Sequence, residues 1–394
     1  MTGTTHLESA CGRTWDAIVL GAGPAGSVAA RTLAASGKSV LLLDRSTFPR
    51  RKVCGCCLNG AAVHALREAE MSGVLAITRA QPLTRMRVFS GMHSGTIALS
   101  DSWIVSREAL DAALIASAVD AGASFLPGVS AHATHVDDET RTVEIHAGSC
   151  RGVLRGKLVL AATGLHSSFL DTESSIRDER SAHSHIGVGA TCDSGADFYE
   201  PHTAYMSTTP HGYGGIVRLE DGRLNIAAAI HAPFVQRCGG PEFAIAELLQ
   251  AAGLPPVQSS HYRGTPLLSH RRSCVTAARL FVLGDAAGYV EPFTGEGMAW
   301  AMASGFLAAR IAANPENSPV AVLEQNWQRA YRDQIQKRQR PCKVVAGLLR
   351  SPALTHATLS LLEFAPALSQ ALVRALNAPL VPSLQPALAE NGPS

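Results

Sequence analysis

The sequence predicts an α/β fold: a discontinuous nucleotide-binding domain of Rossmann type, interrupted by a β-rich insert and closed by a helical C-terminal cap. Three observations carry that expectation. A glycine-rich turn joins two apolar runs near the N-terminus, and a second glycine-rich strand-to-helix junction surrounds Asp285. Between them lies a turn-rich stretch of short alternating strands; past residue 310 the chain reads as helical, and residues 342–380 are rich in Leu and Ala with few charges.

The first element is Trp15 to Leu20 (WDAIVL), a continuous apolar run of the kind a buried strand shows. GAGPAGSVAARTLAASG follows, with Gly21, Gly23 and Gly26 in a G-x-G-x-x-G array, Pro24 and Ala25 inside it, and helix formers after it. SVLLLD is a second strand ending at Asp44, with Arg45 next. Glycines at these positions let the backbone turn tightly and approach a pyrophosphate, whose charge meets the helix N-terminus. Asp44, about 20 residues on, is placed to accept from a ribose hydroxyl. An ADP-containing cofactor follows from this unit; which dinucleotide does not.

Next comes RRKVCGCCLNG, residues 50–60. Three readings apply to its cysteines: a metal set, a redox pair, or a backbone passing close to a large ligand. C-x-C-C spacing does not suit tetrahedral zinc, which takes C-x₂₋₄-C pairs, and a Cys54–Cys56 disulfide ring would be strained. Small side chains along a segment that skirts the cofactor fit best, and no metal is expected.

The second junction, RLFVLGDAAGYVEPFTGEGMAWAMASG (279–305), reads as strand, Gly284-Asp285, a turn with Pro292, Gly295 and Gly297, and a helix from about Met298. It resembles the second flavin fingerprint of FAD-dependent oxidoreductases of the glutathione-reductase type. The resemblance implies FAD, with Asp285 at the ribityl chain or its phosphate side. It also implies a helix N-terminus directed at the pyrimidine edge of the isoalloxazine, where helix-end amides favour negative charge. Arg107, in VSREALDAAL, matches an arginine that related enzymes carry near the flavin; a surface helix-start arginine is the other reading. LVLAATG (158–164) supplies a further strand returning to the nucleotide domain.

The order of these segments resembles the geranylgeranyl reductase family over roughly residues 15–310. Pro49, Arg50, Lys52, Cys54, Gly55 and Leu58 match that family's P-R/K-x-K-x-C-G-x-x-L segment position by position. Flavin hydroxylases and halogenases share the scaffold. The resemblance implies a FAD-binding domain over 1–80, 100–180 and 270–330, a substrate domain over 81–99 and 181–269, and a helical region over 331–394. Three departures stand out. Thr163-Gly164 replaces the Asp-Gly pair of hydroxylases and many reductases. No Trp-x-Trp-x-Ile-Pro segment of halogenases is present. The family's G-Y-x-W-x-F-P segment is reduced to Gly212-Tyr213 within HGYGGIVRLEDGRLNIAAAI, a hairpin turning at Glu220-Asp221-Gly222. Gly214 and Gly215 are read there as a close approach of backbone to flavin or substrate.

These features point to a flavoprotein whose reduced cofactor delivers hydride from flavin N5 to a carbon–carbon double bond of an isoprenoid- or polyketide-lipid-like substrate. Cys54 is the residue placed nearest the reaction, as proton donor or pocket wall. Tyr213 either lines the pocket or packs across the sheet. Arg50 and Lys52 are candidates for an anionic substrate head or the FAD pyrophosphate. NAD(P)H or another reductant is the expected electron donor. Two alternatives stand: a monooxygenase on the same fold, and a non-enzymatic flavin electron carrier.

Bulk composition fits. With 394 residues, 46% apolar, the chain can bury a large core. A net charge of +2 gives no case for nucleic acid. Nine cysteines without a leader-like apolar segment in MTGTTHLESACGRTWD suggest reduced thiols and a cytoplasmic protein. His183, His185, His202, His211 and His231 show no metal-set spacing and are read as surface or hydrogen-bonded. The apolar stretch 342–380 is read as a cap, with a lipid tunnel wall or a peripheral membrane contact as functional alternatives. Oligomeric state is not legible.

Overall fold

The computed structural model describes residues 3–165, 168–181, 184–193, 197–259, 261–291, 293, 295–313, 319–349, 354–358 and 366–382. His183, Pro292, part of the apolar 342–380 stretch and the ENGPS tail fall outside them.

The apolar runs pair as parallel strands. Leu280–Val282, Cys150–Ala161, Thr14–Leu20, Val40–Asp44 and Ser124–Pro127 lie side by side in that order. The register sets Leu20 opposite both Ala161 and Leu43, so the carboxyl ends of the central strands are level. That edge is where an open α/β sheet binds its ligand. Val40–Asp44, Leu280–Val282 and the end of Cys150–Ala161 are wholly buried, which is why they read as continuous apolar runs without alternation. Helix Pro24–Ala35 packs against helix Glu296–Ala312 across small residues. A Cβ on Gly305 would stand 2.1 Å from the Ala25 carbonyl oxygen, so this crossing needs the glycine.

A second, seven-stranded sheet runs Arg263–Leu267, Ile186–Cys192, Leu224–Ile230, Gly212–Arg218, Thr203–Thr209, Arg85–Ser90 and His93–Ala98. All neighbours are antiparallel except Thr203–Thr209 with Arg85–Ser90. The hairpin expected at Glu220-Asp221-Gly222 is present, with Gly222 at φ +88°. One face buries Phe89, Tyr205, Ile216 and Ile226 under helix Pro241–Ala251. The opposite face carries Met86, Ala204, Met206 and Val217 and looks toward the first sheet's carboxyl edge.

The C-terminal region is helical: Val320–Ala330, a π-turn at Tyr331–Gln336, Lys337–Leu349 and Pro366–Leu376. Trp327 is fully buried, and its indole Nε1 donates to the Val282 carbonyl at 3.3 Å, fastening this cap to the edge of the first sheet. Among the described residues no helix is long and apolar enough to cross a membrane.

Candidate cofactor and substrate site

The glycine array behaves as its chemistry requires. Gly21 has φ +103°, and a Cβ there would lie 2.3 Å from the Ala162 carbonyl oxygen. Gly23 opens into the cavity: a Cβ on it would face Arg50 Nη2 at 3.5 Å and Arg107 Nη2 at 3.9 Å. No side chain caps the helix that starts at Pro24, so its first amides are left for an anion. Asp44 is held by the turn it serves: its oxygens accept from Ala22 N at 2.8 Å, Ser46 N at 2.8 Å and Arg50 Nη1 at 3.2 Å. Oδ2 has a single partner among these and keeps acceptor capacity on the cavity side.

Behind the turn lies a buried ion network. Arg107 opens helix Arg107–Asp120 behind the Ser106 cap, and Asp111 sits one turn later on the same face. Arg107 Nε and Nη2 each donate at 2.9 Å to the two Asp111 oxygens, a bidentate pair whose carboxylate is fully buried. Arg50 Nε approaches the same carboxylate at 3.5 Å. Burial works against the Arg107 charge, but Asp111 and then Cys54 outweigh it and raise its pKa. Lys52 is different. Burial, then Arg107 and Arg50, pull its ammonium pKa down, and it forms no ion pair among the described residues. Its Nζ lies beside Gly164, 3.1 Å from where a Cβ would stand. Asp285 is pushed up by burial, against the pull of Lys52, Arg107 and His270. His270 bridges Asp178 Oδ1 at 2.8 Å and the Asp285 carbonyl at 2.7 Å, fixing this strand end.

The cysteine segment runs along the same wall. Cys56 adopts φ +58°, and its N–H points at Cys54 Sγ at 3.5 Å. Asn225 Nδ2 donates to the Cys54 carbonyl at 2.9 Å, tying the segment to the second sheet. The neighbouring Cys56 thiol, then the Arg107 charge, draw the Cys54 thiol down to about 6 against the opposing effect of burial. Cys56 is pushed well up by the same coupling, and burial raises Cys57 to about 12. Cys54 is therefore the reactive thiol of the three, and Cys56 is a buried filler. Cys54 Sγ lies 3.9 Å from Met298 Sδ, at the start of helix Glu296–Ala312, whose N-cap Gly295 takes φ +86°.

These groups line one cavity of about 1220 Å³. That exceeds the roughly 300–1,000 Å³ of a single small-ligand site. All expected cofactor and substrate residues face it except Gly26 and Gly214. Gly26 instead seats its helix on the turn, with the Gly21 oxygen 1.8 Å from a would-be Cβ. Gly214 is a correction. Strand periodicity puts Tyr213, Gly215 and Val217 on the cavity face and Gly214 on the other, against Ala228. Gly215 has its own steric reason, since a Cβ would meet Met206 Sδ at 2.6 Å.

The far end of the cavity is apolar. Leu83, Met86, Ile97 and Val217 come from the second sheet and its approach; Leu372, Val373 and Leu376 come from helix Pro366–Leu376. That helix is fastened by Asn377, whose Oδ1 accepts from Gly60 N at 3.0 Å and whose Nδ2 donates to the Ser100 carbonyl at 2.9 Å. The cap thus also walls the cavity. Asp111, Asn225 and Asn377 were not singled out from sequence. Only Asp111 left a signal, its four-residue spacing from Arg107.

The residues fit FAD: uncapped helix amides, a cavity-lining Lys52 with no ion pair among the described residues, and room for a second ligand beyond. A FAD binding domain family model matches residues 14–317, and the chain belongs to that family. It is a FAD-dependent oxidoreductase. A menaquinone reductase of Mycobacterium tuberculosis is 29% identical over 317 residues, 75% of this chain and 76% of that protein. A digeranylgeranylglycerophospholipid reductase of Methanoculleus marisnigri is 26% identical over 323 residues, 76% of each. Among solved structures, a flavin-dependent brominase superposes with a TM-score of 0.76 at 20% identity, covering 93% of this chain and 94% of that one. A geranylgeranyl bacteriochlorophyll reductase-like protein of Thermoplasma acidophilum gives 0.71 at 20%, covering 88% and 91%. The kinship with geranylgeranyl reductases and the expectation of FAD are borne out; the structural likenesses establish the fold.

Proposed function

We propose that this protein reduces a carbon–carbon double bond in an apolar substrate of isoprenoid or polyketide-lipid type. The observation that supports it most is the continuity of one cavity from the glycine turn to a wall of Leu83, Met86, Val217 and Leu376. Bound FAD, once reduced by NAD(P)H or another reductant, supplies a hydride to the double bond. The Ala25 N–H at the uncapped helix start, with Lys52, Arg50 and Arg107, would hold the pyrophosphate. Asp44 takes the adenosine ribose, and Arg45, exposed at the rim, borders it. Gly284 and Asp285 would lie along the ribityl chain, and Gly295, Gly297 and Met298, which line the same cavity, would face the pyrimidine edge. The leucine-lined end orients the alkene and excludes water. Of the two roles expected for Cys54, the wall is favoured, since its Sγ packs 3.9 Å from Met298 Sδ along the cavity lining.

The test is anaerobic. Reduced holoprotein is mixed with a long isoprenoid alkene and the product weighed. Reoxidation of the flavin with a product carrying two more hydrogens is expected. Turnover only after dioxygen is admitted, with one oxygen in the product, would identify a monooxygenase instead.

A further inference from the structure

With Cys54 as pocket wall, reduction of a double bond needs another proton source, and a buried pair stands beside Tyr213. His185 precedes strand Ile186–Cys192 and is 5% exposed; Glu291 lies in the turn before the flavin-facing helix and is 1% exposed. His185 Nδ1 is 2.7 Å from Glu291 Oε2. Glu291 Oε1 accepts from His185 N at 3.0 Å and from the Ser184 and Ser269 hydroxyls, each at 3.3 Å. With the Glu291 carboxylate accepting from Nδ1, that nitrogen carries a hydrogen and Nε2 is the atom left to exchange a proton. The imidazole stands edge-on to the Tyr213 ring, centroids 6.4 Å apart and planes at 89°. Tyr213 lines the cavity and packs edge-on against Phe293, centroids 5.3 Å apart. On its other side His185 meets His231, also edge-on at 6.4 Å, a half-buried residue at the start of helix Ala232–Arg237.

We propose that His185, held by Glu291, supplies the proton of the reduction through the Tyr213 hydroxyl. This rests on the reductase reading above. The alkene π bond breaks as hydride, with its electron pair, arrives from the reduced cofactor at one carbon. The Tyr213 hydroxyl proton goes to the other carbon, His185 Nε2 returns a proton to the phenolate oxygen, and His231 connects the imidazole to solvent. The product gains two hydrogens and the flavin is left oxidised. The titratable groups facing His185 are Glu291, Tyr213 and His231; nearby Tyr289 is pushed far up by burial and stays neutral.

His185→Asn separates structure from chemistry, because its carboxamide N–H replaces Nδ1–H toward Glu291 while Nε2 is removed. In anaerobic single turnover with an isoprenoid alkene, the variant's reduction rate should fall about 100-fold, the lower range for a general acid. KM, flavin content and melting midpoint should hold, and the fall in rate at high pH should vanish. Glu291→Gln removes the carboxylate that holds Nδ1 and should lower the single-turnover rate with flavin content unchanged. Tyr213→Phe should match His185→Asn, and the double variant should be no slower than either. A rate within about twofold of the parent in either single variant overturns the proposal, as does an unchanged pH profile in His185→Asn. Failure of the parent itself to reduce any alkene overturns the reductase reading and the relay with it; failure of the variants alone supports the relay.

Discussion

Arg107→Ala should cost about 3–5 kcal/mol of stability and release most of the flavin. Asp111 is fully buried and takes both charge-assisted hydrogen bonds from Arg107. After truncation Arg50, at 3.5 Å, is the remaining ion-pair partner of that carboxylate among the described residues. Arg50 also serves Asp44, so it cannot move over without loosening the ribose end. Both partners are shielded from water, and solvent screening that makes surface pairs worth less than about 1 kcal/mol does not apply. Thermal unfolding and flavin absorbance read the two effects separately. Arg107→Leu with Asp111→Leu should regain much of the stability without the flavin, because an apolar pair leaves no buried charge. A loss below about 1 kcal/mol in Arg107→Ala would mean the carboxylate is hydrated in solution.

Gly26→Ala should be more damaging still. The added Cβ would sit 1.8 Å from the Gly21 carbonyl oxygen, and both atoms belong to backbone, so no rotamer relieves the clash. Helix Pro24–Ala35 must then lift off the turn, which separates its N-terminal amides from the cavity and undoes its crossing with helix Glu296–Ala312. The expected protein is colourless and largely unfolded. Gly73→Ala is the matched control: it lies in a helix with nothing within 4 Å of its Cβ. It should be yellow and slightly more stable, as Ala exceeds Gly in helix propensity. A yellow Gly26→Ala protein would show that the turn can be rebuilt.

What the sequence made legible follows from range. The strand–turn–helix units around Gly21 and Asp285 are local patterns, and each placed its residues on the cavity apart from Gly26, which seats the helix on the turn. Arg107 was found from its junction, and Asp111 was readable in principle from helical spacing. Gly214 could have been removed by parity: once Tyr213 faces inward, so does Gly215 and not its neighbour. The rest depends on contacts that no local pattern encodes. His185 and Glu291 are 106 residues apart, and Asn377 reaches Gly60 across 317. The C-terminal stretch showed an apolar composition, which suits a core cap and a cavity wall equally. Only the fold reveals that helix Pro366–Leu376 serves as wall.

The central claim is that FAD and an apolar chain occupy one continuous cavity. Titrating oxidised holoprotein with a long isoprenoid alkene, while following the flavin spectrum, tests it most directly. The account predicts a saturable perturbation, abolished in Leu376→Trp, where the indole fills the apolar end while flavin content stays that of the parent. No perturbation in the parent, or the same perturbation in Leu376→Trp, would contradict it.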